Sequence, residues 1–377
     1  MQRGETQQAQ LKAPFPWFGG KSRVAALVWQ RFGVVKNYVE PFAGSLAVLL
    51  GRPTPPRTET VNDLDCFIAN FWRALAADPE GVAAWADSPV NEADLHARHE
   101  WLHDQAEFIE AMHTDPDHYN VKVAGWWVWG LSAWIGDNWC RMTRQGGLPH
   151  LAHGGQGVRR TGLTQQLPDL SGDSGASGKG VHRCGLHRKR PVIKAGAAGV
   201  ARSEYWGPGA ETPALYDYMA ALAARLRRVR VCCGDWSRVL GPSPTVHIGL
   251  TGVFLDPPYG VADRDKCYNH DSRGLSAEVR AWAIEHSGEE LLRIALCGYE
   301  GEHEMPDDWE CVAWKAGGGY GNQSSRGNAN RHRERIWFSP SCLRNDAEPL
   351  FPDLAGGRKP PNEIPRTLDS TELRGSP

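Results

Sequence analysis

The chain has 377 residues, 41% apolar and 23% charged, enough for two or three domains with a sizeable core. A formal charge of −2 gives the whole chain no polyanion-binding character, and no apolar run of about 18 residues marks a transmembrane helix. The polar start at 1–10 lacks a signal core, and nine cysteines without a CxxC pair read as free thiols, so the expected location is the cytoplasm.

Taken in order, residues 13–71 alternate Gly/Pro punctuation with short apolar runs, predicting strands that end at Glu40 and Asp63 with helices between and after them. From about Trp72 to Trp139 the Trp, Leu and Ala spacing predicts helices. Here Trp126, Trp127, Trp129, Trp134 and Trp139 suit core packing better than base stacking. Residues 141–206 hold eleven Lys and Arg against three acids, a net +8. Such a segment is either a solvated loop or a basic surface that orders on a nucleic-acid backbone. Within it, His182, Cys184 and His187 are of metal-ligating type, but no second pair at suitable spacing follows, and no metal is expected.

Thr212 and Pro213 then cap and open a helix running to about Arg228. Strands are predicted at 229–233, 252–255, 293–297 and 334–338, and a helix at 276–286. This is an α/β rhythm. The segment 315–335, glycine-rich and then arginine-rich, is either a loop over a ligand or a hairpin connection, and the chain beyond 340 is expected to be disordered.

Chemistry concentrates in four places. Leu255-Asp256-Pro257-Pro258-Tyr259 ends an apolar strand, the edge at which open α/β sheets place ligands. The prolines stiffen the turn and leave outward carbonyls. Asp256 and the Pro257 carbonyl can accept both hydrogens of an exocyclic amine while the Tyr259 ring stacks on its heterocycle, a task that needs the ring alone, so that Phe would serve. A plain Pro-rich turn is the competing reading. Upstream, Trp17-Phe-Gly-Gly-Lys21 sets an aromatic and a lysine around a Gly pair, and Lys21 can meet a carboxylate. In Glu40-Pro-Phe-Ala-Gly44-Ser45 a strand turns into a helix with Gly44 where a cofactor would press on the backbone. Asp63 lies 23 residues after Glu40, where an acid can bind ribose hydroxyls.

This order, PWFGGK, VEPFAGS, VND, an insert and then DPPY, resembles the Dam-type adenine-N6 DNA methyltransferases, phage-encoded relatives included, over roughly 14–71 and 212–339. The resemblance implies a Rossmann-like sheet that uses S-adenosylmethionine, with an inserted, partly helical target-recognition region. By it, 13–71 and 212–340 form a discontinuous catalytic domain, 72–211 the insert with a basic loop at 141–206, and 341–377 a tail. It implies site-specific transfer of a methyl group to adenine N6 in double-stranded DNA after base flipping, as in restriction–modification. The alternatives are an RNA adenine-N6 methyltransferase and an inactive DNA-binding relative. By the same resemblance Trp17, Lys21, Asp63, Asp235 and Asp256 line the cofactor, and Asp256 and Tyr259 serve the target base; the turns themselves add Glu40 and Gly44 to the cofactor set and Pro257 to the base set. Arg141 borders the recognition region, and Arg159, Arg160, Arg188, Lys189 and Arg190 are its candidate phosphate contacts. One departure stands out: Leu46 and Ala47 occupy the place where many relatives carry a second glycine.

Overall fold

The computed structural model describes residues 11–15, 17, 20–54, 57–134, 139–140, 213–259, 274–314 and 332–344. Seven strands form one sheet: β1 (Asn37–Glu40), β2 (Thr58–Asp63), β3 (Val229–Cys233), β4 (Thr251–Leu255), β5 (Leu292–Tyr299), β6 (Glu310–Ala313) and β7 (Glu334–Phe338). Their order is β3-β2-β1-β4-β5-β7-β6. The first five run parallel, with Val39 opposite Thr60 on one side and Val253 on the other. β7 runs antiparallel to both β5 and β6.

Parallel strands covered on both faces read as unbroken apolar runs, and every residue of β4 is buried. Val39, Val253, Leu255, Ile294, Leu296 and Trp337 form the sheet side of a core closed by Val279, Ala283 and Trp309. The expected strands are present. β6 is the one addition among the described residues, a four-residue edge strand with half-exposed side chains and too little alternation to show in the sequence.

The helices are α1 (Ala25–Phe32), α2 (Ala47–Leu50), α3 (Cys66–Ala77), α4 (Pro79–Ala86), α5 (Glu92–His103), α6 (Ala106–Thr114), α7 (Val121–Ala133), α8 (Pro213–Leu226) and α9 (Leu275–Glu285). Side chains of Asp65, Asp78, Asn91 and Asn120 cap α3, α4, α5 and α7, which explains why the expected helical stretch divides where it does. Trp127, Trp129, Trp134 and Trp139 are buried, as core packing requires, whereas Trp126 is only half-buried, and Phe15, Phe71, Trp72 and Trp127 meet in one aromatic cluster. Buried Glu59 in β2 is paired by Arg52 at 3.1 Å and Arg225 at 2.7 Å, so α8 is tied to the sheet by compensated charge. No helix among the described residues is long and apolar enough to cross a membrane. The seven described cysteines are free thiols.

Candidate active site

Strand order reverses between β1 and β4, and such a switch opens a crevice at the carboxyl ends of the strands. On its β1–β2 side the chain makes a tight turn through Gly44 at φ +45° and Leu46 at φ +51°. Gly44 is required twice over, since a Cβ there would sit 2.5 Å from Trp17 Nε1 as well as in the left-handed region. Leu46 takes its strained angle in a fully buried position. The Gly44 amide donates to Asp63 Oδ2 at 3.0 Å, and the Asp65 amide to Asp63 Oδ1 at 2.9 Å. Trp72 Nε1 donates to the Gly44 carbonyl at 2.9 Å. Asn62 donates to the carbonyls of Pro41 and Gly234, fastening the turns after β1 and β3 together. Burial pushes the Asp63 carboxyl up to about 7, against the pull of its backbone donors.

On the β4 side, Lys21 opens a one-turn 3-10 helix (Lys21–Arg23) and is buried. Its Nζ lies 2.9 Å from Asp256 Oδ2 and over the rings of Tyr259 and Trp314, 5.4 and 5.5 Å from their centroids. The Tyr259 hydroxyl meets Asp256 Oδ1 at 3.2 Å and Glu334 Oε2 at 2.9 Å, and its ring packs edge-on against Tyr299. Glu334 opens β7 in a buried position, and desolvation pushes its carboxyl upward while Lys21 opposes the shift. Glu40, accepting from the Tyr38 hydroxyl at 2.9 Å, is pushed up to about 8 by burial and then by the charge of Asp256. Three carboxyl groups thus gather near one ammonium. Burial pushes two of them, Glu40 and Glu334, toward their neutral forms, while Lys21 pairs with Asp256.

Residues 17–121 match the family model of the D12 class N6 adenine-specific DNA methyltransferases. The match bears out the Dam-type resemblance and supports methylation of adenine in DNA as the general activity. It includes Trp17, Lys21, Glu40, Gly44 and Asp63 and ends before Asp256. No curated protein matches the chain significantly.

The expected residues fall into two groups. Trp17, Gly44 and Asp63 meet on one rim of the crevice, and Lys21, Asp256 and Tyr259 on the other. Pro257 is buried behind Asp256. Asp235 is exposed at the end of β3, where its Oδ1 accepts from the backbone and hydroxyl of Ser237 and caps a one-turn helix (Trp236–Val239). Glu40 is enclosed beneath the first turn. Arg141, Arg159, Arg160, Arg188, Lys189 and Arg190 lie outside the described residues, as do His182, Cys184, His187 and the segment 315–331.

Tyr259 departs from the sequence reading in one respect. Its hydroxyl anchors two carboxyl groups, so the residue needs more than a ring. Sequence reasoning also missed Glu334 and Trp314. The only available signal was an acid at the head of the apolar strand Glu334-Arg-Ile-Trp-Phe338.

Proposed function

We propose that the chain transfers the methyl group of S-adenosylmethionine to the N6 amine of adenine in double-stranded DNA. The observation that carries this reading is the fixed Asp256, held by Lys21 and Tyr259 at the carboxyl end of β4 and followed by two buried prolines. The residues present fit the cofactor. Gly44 lets the Trp17 indole lie directly against the backbone of the turn, and the Asp63 carboxyl accepts from two backbone amides, leaving the rest of its roughly four acceptor sites for ribose hydroxyls. When bound, the cofactor supplies a methyl carbon made electrophilic by its sulfonium.

The chain's own residues then do the positioning. An adenine amine is a weak nucleophile because its lone pair is delocalised into the ring. Asp256 and the Pro257 carbonyl accept its two hydrogens and turn the lone pair outward. The ion pair with Lys21 fixes the Asp256 carboxyl in place. The base reaches this site by leaving its stack, since N6 inside a duplex is out of reach, and Tyr259 borders it. By the resemblance, Asp235 would contact the adenine end of the bound cofactor. Arg141, Arg159, Arg160, Arg188, Lys189 and Arg190 contact phosphates, a role resting on the net charge of their segment. Holding both reactants in line accounts for much of the acceleration.

The test is transfer of labelled methyl to duplex DNA and to RNA, followed by nucleoside analysis. Label in N6-methyladenine of DNA is the expected result. Label confined to RNA, or DNA binding without transfer, contradicts the reading.

A further inference from the structure

Three soft ligand atoms converge outside the crevice. Cys66 is the first residue of α3, Cys233 the last of β3, and His113 lies in the last turn of α6. They stand far apart in sequence, His113 by 47 and Cys233 by 167 residues from Cys66, which is why no spacing motif reveals them. The two Sγ atoms are 3.7 Å apart, and Cys66 Sγ is 3.4 Å from His113 Nε2. All three donor atoms lie within 4.8 Å of one another.

The two separations from Cys66 Sγ match edges of a metal tetrahedron. With Zn–S near ~2.3 Å and Zn–N near ~2.0–2.1 Å, tetrahedral angles place two sulfurs ~3.8 Å apart and a sulfur and nitrogen ~3.5–3.6 Å apart. A disulfide would need an S–S distance of ~2.05 Å. Two thiolates and an imidazole select a soft or borderline cation over magnesium or calcium. Both cysteines are buried while His113 is exposed, so the open fourth position faces solvent.

We propose that Cys66, His113 and Cys233 form a zinc site with water as the fourth ligand. Binding releases the thiol protons and fastens α6 to the start of α3 and the end of β3. Cys66 follows Asp63 by three residues and Cys233 precedes Asp235 by two, so the ion braces the rim that carries both acids. It takes no part in methyl transfer.

Cobalt(II) titration of the reduced, chelator-stripped full chain tests the site independently of activity. One cobalt per chain should bind with a thiolate charge-transfer band and the visible spectrum of a tetrahedral ion, and zinc should displace it. Cys233→Ser should abolish the charge-transfer band of the pair. His113→Ala, a surface change that leaves the fold intact, should weaken zinc in competition with a chromophoric chelator by at least the roughly 10–100-fold that loss of an outer-shell partner costs. Cys184→Ser should change nothing. A wild-type chain without the band, a band unchanged in both His113→Ala and Cys233→Ser, or a band lost in Cys184→Ser would overturn the assignment.

Discussion

Asp63 and Asp256 flank β1 on the two rims of one crevice, yet they are held by different means. Backbone amides of Gly44 and Asp65 hold Asp63, both within a short stretch of chain. Side chains of Lys21 and Tyr259 hold Asp256, and Glu334 completes that network from the far end of the sheet. Backbone donors follow automatically once the turn forms. A side-chain network depends on distant segments arriving together, and removing one member strands a charge on the others.

The largest effect should therefore come from the side-chain rim. Lys21→Met leaves Asp256 facing Glu334 and Glu40 without a cation, and breaking a buried ion pair costs about 3 kcal/mol or more. Chemical denaturation should show that loss, together with collapse of methyl transfer. On the backbone rim, Asp63→Ala should leave the sheet folded and weaken cofactor binding by about 1.5–3 kcal/mol, read by titration calorimetry. Unchanged affinity would move the ribose contact elsewhere.

Tyr259→Phe probes the same contrast more finely. It keeps the ring but leaves the buried Glu334 carboxyl without its tyrosine donor, and about 1–3 kcal/mol of stability should go with it. A neutral result would reduce Tyr259 to a stacking surface. Gly44→Ala should cost about 1–2 kcal/mol for the left-handed backbone and push the Trp17 indole aside, visible as a weaker cofactor affinity.

The gentlest dependence is on pH. Glu40, at about 8, and Asp63, at about 7, both titrate above their unfolded values. Between those values and the ordinary carboxyl range the folded chain binds more protons than the unfolded one. Their stabilisation is complete at acid pH and declines as pH rises toward 8, by at most about 1.4 kcal/mol per pH unit for one group. His303, held below its ordinary range by burial, works in the opposite direction and only at lower pH. Denaturation midpoints should be higher at pH 5 than at pH 8, and Glu40→Gln should flatten the difference.

The contrast between the rims also explains what could be read from the sequence. β3 and β7 were legible to the residue because apolar strands there are bounded by clear turn and charge signals, and Asp63 and Asp256 were legible as acids at strand ends. Glu334 was not, because it reaches Tyr259, 75 residues earlier, only once β7 pairs with β5. The same holds for Cys66, His113 and Cys233, which only the packing of α3, α6 and β3 brings together. The basic segment was readable as charge, and charge alone does not give a conformation.

The central claim is that Asp256 orients the target amine. Single-turnover methyl transfer from labelled S-adenosylmethionine to duplex DNA, with DNA affinity measured alongside, tests it most directly in the wild type, Asp256→Asn and Asp256→Ala. The account predicts N6-methyladenine from the wild type, residual transfer from the Asn variant, which keeps an acceptor oxygen, and none from the Ala variant, with DNA affinity within a few-fold throughout. An Asp256→Ala chain that methylates DNA at the wild-type rate would contradict it.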